Sequence, residues 1–153
     1  VGDLAQAILY LLVKEGVKDI TITNRTYHKA LEVQSVFDVN VINFEKKYLA
    51  AAENDVIISA TSAPHLVLTK EELLPLLNRE KKYTFLDLAM PRDIDPELSS
   101  EENIDLFNLD DIWKVYNKNL KTRDELMQSY SFLIDKQMVN LKKWFQYYEE
   151  RKI

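Results

Sequence analysis

Three consecutive residues, Asn24, Arg25 and Thr26, carry the side chains of this sequence best suited to binding a phosphate group. Asn24 has no negative charge to repel an anion, Arg25 presents a planar fork of donors, and Thr26 adds a hydroxyl. Asn24 ends an alternating β-branched stretch that begins near Asp19 and predicts a strand. Where a dinucleotide-binding fold ends its second strand, an acidic residue selects NAD, whereas a nearby arginine accommodates the 2′-phosphate of NADP. The tripeptide therefore predicts NADP specificity, provided that the fold is of this kind.

The segment Ser59–His65 follows an apolar stretch that predicts a strand buried on both faces of a parallel sheet. Its small and hydroxyl residues Thr61, Ser62 and Ala63 would let a ligand approach the backbone at the carboxyl edge of an open α/β sheet, where such sheets bind ligands. We therefore predict a cofactor-binding loop here, with a solvated loop as the alternative. His65 could donate a proton or contact a polar substrate, and its role stays open.

The run Asp87–Glu97 follows a second apolar stretch that predicts a buried strand. Met90 could cover the flat face of a nicotinamide ring. Arg92 could pair with a phosphate, with a substrate carboxylate, or simply with Asp93 or Asp95. The sequence does not choose between these roles, and the purely intramolecular pairing is no less expected than the others.

Composition excludes several classes of site. The chain has 153 residues and no cysteine, so it offers no disulfide, zinc-thiolate site or thiol nucleophile. His28 and His65 lack ligand spacing, and the acidic residues at 108–111 are better explained as a helix start, so no metal site is predicted. The net charge of −5 argues weakly against a broad nucleic-acid surface. No apolar run approaches the ~20 residues of a membrane span, and no signal peptide is visible, so we expect a cytoplasmic protein.

Strands that alternate with helices predict a doubly wound, parallel α/β sheet. Helices are expected over residues 2–15, 27–37, 45–53 and from a Thr69/Glu72 capping box onward, and strands over 19–24, 39–44, 55–60, 83–88 and 104–107. Gly2 opens the first helix, and Asn24 follows at about the 20-residue spacing that separates the dinucleotide fingerprint from its ribose-reading residue. The strand and the leading glycines expected before Gly2 are not in the sequence. We therefore predict a Rossmann-like domain over residues 1–107 that lacks its first strand.

Residues 108–153 predict a second structural region. The sequence contains no glycine or proline from Asn108 to about Arg151, and its apolar residues recur mostly at steps of three and four. This pattern predicts one long helix with a narrow apolar seam. We expect its aromatic-rich distal half to pack on another chain or domain. Two shorter helices that break near residues 117–124 are the alternative.

Four segments together resemble the glutamyl-tRNA reductase family in their order and spacing: 24–26, 59–65, 87–97 and 106–112. The run Asp-Leu-Ala-Met-Pro-Arg-Asp-Ile-Asp-Pro-Glu at 87–97 is the most specific of them, whereas Asn-Arg-Thr is shared with shikimate dehydrogenase-like domains. The resemblance covers essentially the whole chain but only the middle of the family's full-length protein. It implies the NADPH-binding domain followed by the start of the connecting helix and dimerisation region.

The resemblance also implies a function. The family uses NADPH to reduce glutamyl-tRNA to glutamate 1-semialdehyde in tetrapyrrole (porphyrin) biosynthesis, with a catalytic cysteine in a separate N-terminal domain that receives the tRNA. Because this chain has no cysteine, we expect no catalytic residue on it and no activity of the fragment alone. A homodimer through the C-terminal helix is implied, as are the cofactor-binding residues Gly2, Asn24, Arg25, Thr26, Thr61, Ser62, Ala63 and Met90. The alternatives are the NADP-binding domain of a shikimate dehydrogenase-like oxidoreductase and a non-catalytic oligomerisation module.

Overall fold

The structure, a computed structural model, describes the backbone of residues 2–150 and the side chains of residues 2–127, 138–139 and 142. The chain divides near Leu109 into two compact units, which are described in turn.

The first unit contains two parallel β-sheets. Over the described residues its strands are β1 (Thr21–Thr23), β2 (Asn40–Ile42), β3 (Val56–Ser59), β4 (Tyr83–Asp87) and β5 (Ile104–Asn108). The first sheet has the order β1-β2 and the second the order β3-β4-β5, and every pairing is parallel. In the general doubly wound fold the strand order is 3-2-1-4-5-6, so strand 1 lies between strands 2 and 4. Without strand 1 among the described residues, the sheet separates into one part of two strands and one part of three, as is observed here. The predicted α/β fold is therefore confirmed.

A 3₁₀ turn lies between β4 and β5, whereas helices precede β1 and connect β1 to β2, β2 to β3 and β3 to β4, as is usual between parallel strands. They are α1 (Asp3–Lys14), α2 (Tyr27–Gln34), α3 (Lys47–Glu53) and α4 (Lys70–Leu73), with 3₁₀ turns at Phe44–Lys46, Leu74–Leu76 and Pro96–Ser100. Pro75 ends α4 after a single turn, because proline has no backbone N–H to continue the helical hydrogen bonds. The predicted positions of the helices are otherwise confirmed to within a few residues.

Each sheet is associated with its own group of buried apolar side chains. Those beside the first sheet are Leu9, Ile20, Val33 and Val39. Those beside the second sheet include Leu73, Tyr83, Phe85, Ile94 and Leu98, all at most 1 % exposed. Phe44, in the 3₁₀ turn before α3, and Tyr48, in the first turn of α3, pack against this larger group.

Two local predictions were wrong. The Thr69 side chain does not cap α4: its Oγ1 lies 3.2 Å from the Tyr48 hydroxyl, and the Asp95 carboxylate accepts the hydrogen bond of the Lys70 backbone N–H at 3.1 Å instead. Strand β3 is not buried on both faces, since Val56 is 56 % exposed. The reason is that β3 is an edge strand of its sheet.

The second unit is the helix α5 (Leu109–Glu150), which confirms the predicted long C-terminal helix. It is continuous through residues 117–124, so the alternative with a break there is wrong. Near its start, the Trp113 and Tyr116 rings meet edge to face with centroids 5.5 Å apart. The distal aromatic residues of the prediction, Trp144, Phe145, Tyr147 and Tyr148, lie outside the described side chains. Within the described part of the chain, no helix combines the length and the apolar character that crossing a membrane requires.

Candidate functional site

The connection after β1 lies beside the connection after β2. The two strands pair in parallel with Thr23 opposite Ile42, and the Thr23 hydroxyl donates a hydrogen bond to the Ile42 carbonyl at 3.1 Å. Parallel strands present their carboxyl ends at the same edge of a sheet, which is where open α/β sheets bind ligands. The register therefore brings Arg25 next to the turn that begins at Phe44.

The tripeptide 24–26 forms a turn that leaves its cation exposed. The Asn24 amide donates to the Thr26 carbonyl at 2.9 Å, so it stabilises the turn between β1 and α2. Thr26 occupies the N-cap position of α2 without a hydrogen bond from its side chain to the helix. The Arg25 guanidinium lies over the Phe44 ring, with Cζ 5.9 Å from the ring centroid. Among the side chains that the structure describes, no carboxylate forms an ion pair with Arg25.

A second cluster joins the loops that follow β3 and β4. The Asp93 carboxylate is fully buried. It accepts hydrogen bonds from the Ser59 hydroxyl at 2.6 Å, from the Thr61 hydroxyl at 2.6 Å and from the Thr61 backbone N–H at 2.9 Å. A buried carboxylate is tolerated only when its oxygens are satisfied in this way. Asp93 therefore ties the loop after β3 to the loop after β4.

Asp87, at the end of β4, shapes the second of these loops. Its carboxylate is 2 % exposed and accepts hydrogen bonds from the backbone N–H groups of Ala89, Asp93 and Ile94 at 3.2, 3.2 and 3.1 Å. Three backbone donors on one side chain restrain the chain between residues 87 and 94. Met90 lies within this restrained loop and is 82 % exposed, so its side chain is free to contact a ligand.

The other predicted binding residues differ in how accessible their side chains are to a ligand. Thr61 directs its side chain to Asp93 and also accepts the Ala63 N–H at 3.0 Å, so it shapes the loop. Ala63 is buried and Ser62 is exposed. Gly2 is the N-cap residue of α1, and a Cβ there would meet no described atom within 4 Å, so packing against those atoms does not require glycine.

The sequence left the roles of Arg92 and His65 open. Both side chains are exposed. Of the roles left open for Arg92, the pairing with Asp93 or Asp95 is not formed: Asp93 accepts hydrogen bonds from Ser59 and Thr61, and the Asp95 carboxylate accepts those of the Lys70 and Glu97 N–H groups. Arg92 forms no ion pair with any other residue described by the structure.

Apart from Gly2, which precedes α1, the predicted cofactor-binding residues fall into two groups, one after β1 and one on the loops after β3 and β4. No hydrogen bond or ion pair joins the two groups within the described residues. A cluster of three or more side chains able to hold a metal ion is likewise absent from that part of the chain. Sequence reasoning missed Asp87 and Asp93 as structural residues, and it missed Phe44 and Lys47 beside Arg25.

The chain matches the family model described as Shikimate / quinate 5-dehydrogenase over residues 1–115. It is also 50% identical, over 150 residues, to a glutamyl-tRNA reductase of Fusobacterium nucleatum. That alignment covers 97% of this chain and 46% of the relative, so the chain spans about half the length of that protein.

Two solved structures are similar to this one. The glutamyl-tRNA reductase from Methanopyrus kandleri superposes with a TM-score of 0.82 and 25% sequence identity, over 99% of this chain and 39% of that one. The nucleotide binding domain of the glutamyl-tRNA reductase from Thermoplasma volcanium gives a TM-score of 0.63 and 24% identity, over 81% of this chain and 80% of that one, and supports the fold alone. The resemblance to glutamyl-tRNA reductases that the sequence predicted is confirmed.

Proposed function

Since the chain belongs to the Shikimate / quinate 5-dehydrogenase family, we propose that it is the NADPH-binding part of a glutamyl-tRNA reductase. The complete protein would reduce glutamyl-tRNA to glutamate 1-semialdehyde in tetrapyrrole (porphyrin) biosynthesis. The observation that carries this proposal is the 50% identity to the Fusobacterium nucleatum enzyme over 97% of this chain. Similarity over nearly every residue, including α5, favours this enzyme over other members of the family.

A nicotinamide dinucleotide is the class of cofactor that membership of a dehydrogenase family supports. The proposal of NADPH in particular rests on the turn after β1. Asn24 is neutral, and Arg25 is exposed with no carboxylate partner among the described side chains. A 2′-phosphate would therefore meet a positive charge at this turn, without a negative charge from Asn24 to repel it. When bound, NADPH supplies the hydride for the reduction.

The residues of this chain would bind and orient the cofactor. Asn24, Arg25 and Thr26 would hold the adenosine 2′-phosphate, while the N-terminus of α1 at Gly2 would face the pyrophosphate. The proposed contacts on the nicotinamide side are Thr61, Ser62, Ala63 and Met90. The hydrogen bonds of Asp87 and Asp93 restrain those loops before a ligand arrives, and this restraint reduces the entropy lost on binding.

The rest of the reaction would depend on parts of the complete protein other than this chain. We assign residues 1–107 to the NADP-binding domain and residues 108–153 to a connecting and dimerisation helix. An N-terminal domain would bind glutamyl-tRNA and carry the catalytic cysteine. The protein would act as a cytoplasmic homodimer. On this assignment the chain supplies no catalytic residue of its own.

A second candidate function is that of a shikimate dehydrogenase-like oxidoreductase, because the family model carries that description. It predicts a catalytic Lys/Asp pair in the substrate domain, whereas a glutamyl-tRNA reductase requires a cysteine. The complete natural protein should therefore be assayed with NADPH and glutamyl-tRNA, and separately with NADP⁺ and shikimate. Formation of glutamate 1-semialdehyde alone is the expected result. Oxidation of shikimate, or no reaction with glutamyl-tRNA, would overturn the proposal.

A further inference from the structure

Two cations share one aromatic ring beside the proposed 2′-phosphate site. The Arg25 Cζ lies 5.9 Å from the centroid of the Phe44 ring, and the Lys47 Nζ lies 4.9 Å from the same centroid. Arg25 follows β1, while Phe44 and Lys47 follow β2, its parallel neighbour. The register of the two strands thus gathers two positive charges at one edge of the sheet.

The aromatic side chains restrict where the Lys47 ammonium can lie. Its Nζ is 4.3 Å from the centroid of the Tyr48 ring as well as 4.9 Å from that of Phe44. Both rings pack against the buried apolar group beside the second sheet. Cation–π contacts with two anchored rings hold a side chain that would otherwise sample many rotamers. Lys47 is therefore positioned before any ligand binds.

Neither cation is neutralised by the protein over the described part of the chain, since no carboxylate forms an ion pair with Arg25 or Lys47 there. Glu45 follows Phe44 directly but is exposed, and it pairs with neither cation. Two like charges held near one ring repel each other, and a bound dianion would offset that repulsion by attracting both of them. A phosphate monoester is the chemical group that fits this arrangement.

We infer that Lys47 is a second specificity-determining residue, which contacts the 2′-phosphate of NADPH together with Arg25, and that Phe44 positions both cations. This inference rests on the proposed function, because it takes the turn after β1 as the site that reads the ribose. It adds to that function a residue that follows β2 rather than β1 and that contacts the Tyr48 ring in addition to the Phe44 ring.

The test compares dissociation constants for NADPH and NADH in the complete natural protein, measured by titration calorimetry. Lys47→Met keeps much of the side-chain length but removes the charge, and Lys47→Arg restores it. Lys46→Met is the matched control, because Lys46 is the neighbouring lysine, is exposed, and makes no ring contact among the described residues. Loss of one charge-assisted contact predicts that Lys47→Met weakens NADPH binding roughly tenfold and NADH binding less than about twofold. Lys47→Arg should recover most of the NADPH affinity, and Lys46→Met should resemble the wild type.

The outcomes separate this inference from the proposed function. A wild-type preference for NADPH that Lys47→Met leaves unchanged would overturn the inference alone. An equal loss of both cofactors in Lys47→Met would also overturn it, since the residue would then act on the fold rather than on the phosphate. A wild type that binds NADPH no more tightly than NADH would contradict the proposed cofactor, and the inference with it.

Discussion

The Ser59 hydroxyl donates a 2.6 Å hydrogen bond to the Asp93 carboxylate and thereby connects the end of β3 to the loop that follows β4. The two residues are 34 positions apart in the sequence, and both are buried. The contact explains how a run of polar residues after a strand becomes a defined loop. It also places a fully buried carboxylate next to the proposed nicotinamide side of the site.

Replacing Asp93 by asparagine should destabilise the protein. The charge-assisted hydrogen bonds from Ser59 and Thr61 would become weaker neutral ones, and in one orientation of the new amide its NH₂ group would face the Thr61 backbone N–H, which cannot accept. We expect a loss of about 1–3 kcal/mol in the free energy of unfolding, measured by urea denaturation. Asp105→Asn, at an exposed position of β5, is the control and should change stability by less than about 0.5 kcal/mol. Equal stability of the two variants would show that the Asp93 network does not hold the loops together.

Tyr48 should ionise above the usual range of tyrosine. Burial, followed by a hydrogen bond with Glu72, raises the pKa of its hydroxyl above 10.0. Because the folded state holds this proton more tightly than the unfolded state, the stabilisation is fully present below pH 10.0 and is lost as the pH rises through the folded pKa. The difference between the tyrosinate absorbance titrations of the wild type and Tyr48→Phe should show one group with a pKa above 10.0. A difference curve centred at or below that value would contradict the assignment.

The proposed homodimer is tested by removing part of α5. Sedimentation of the chain with and without residues 125–153 should show a dimer for the longer form and a monomer for the shorter one, because that segment carries most of the aromatic residues of the helix. Circular dichroism of the truncated form checks that the first unit still folds. A monomer in both cases would count against a dimer formed by this helix.

The elements of the fold could be predicted where they depend on residues that are close together in the sequence. The β-branched alternation before Asn24 places the turn, and the absence of glycine and proline after Asn108 places α5. The capping of α4 was not predictable, because the acceptor for the Lys70 N–H is Asp95, 25 residues away, rather than the adjacent Thr69. Local patterns determine where elements begin and end, whereas such contacts depend on how loops meet in the folded chain.

The internal architecture of the site was less accessible to sequence reasoning. Aspartates are usually exposed, so nothing in the run 87–97 indicated that Asp87 and Asp93 would be buried with their oxygens satisfied. The spacing of two acids around Met90 and Pro91, directly after an apolar stretch, was the available signal. The contact of Arg25 with Phe44 depends on the register of β1 against β2, which a single sequence does not specify.

The central claim is that Arg25 reads the 2′-phosphate of NADPH. The most direct test measures the dissociation constants of NADPH and NADH for the complete natural protein and for Arg25→Ala, with Arg79→Ala, an exposed arginine elsewhere, as the control. We predict that the wild type prefers NADPH, that Arg25→Ala weakens NADPH binding roughly tenfold to a hundredfold while changing NADH binding by less than about twofold, and that Arg79→Ala resembles the wild type. A wild type that binds both cofactors equally or binds neither, or an Arg25→Ala variant that loses both to the same extent, would contradict the claim.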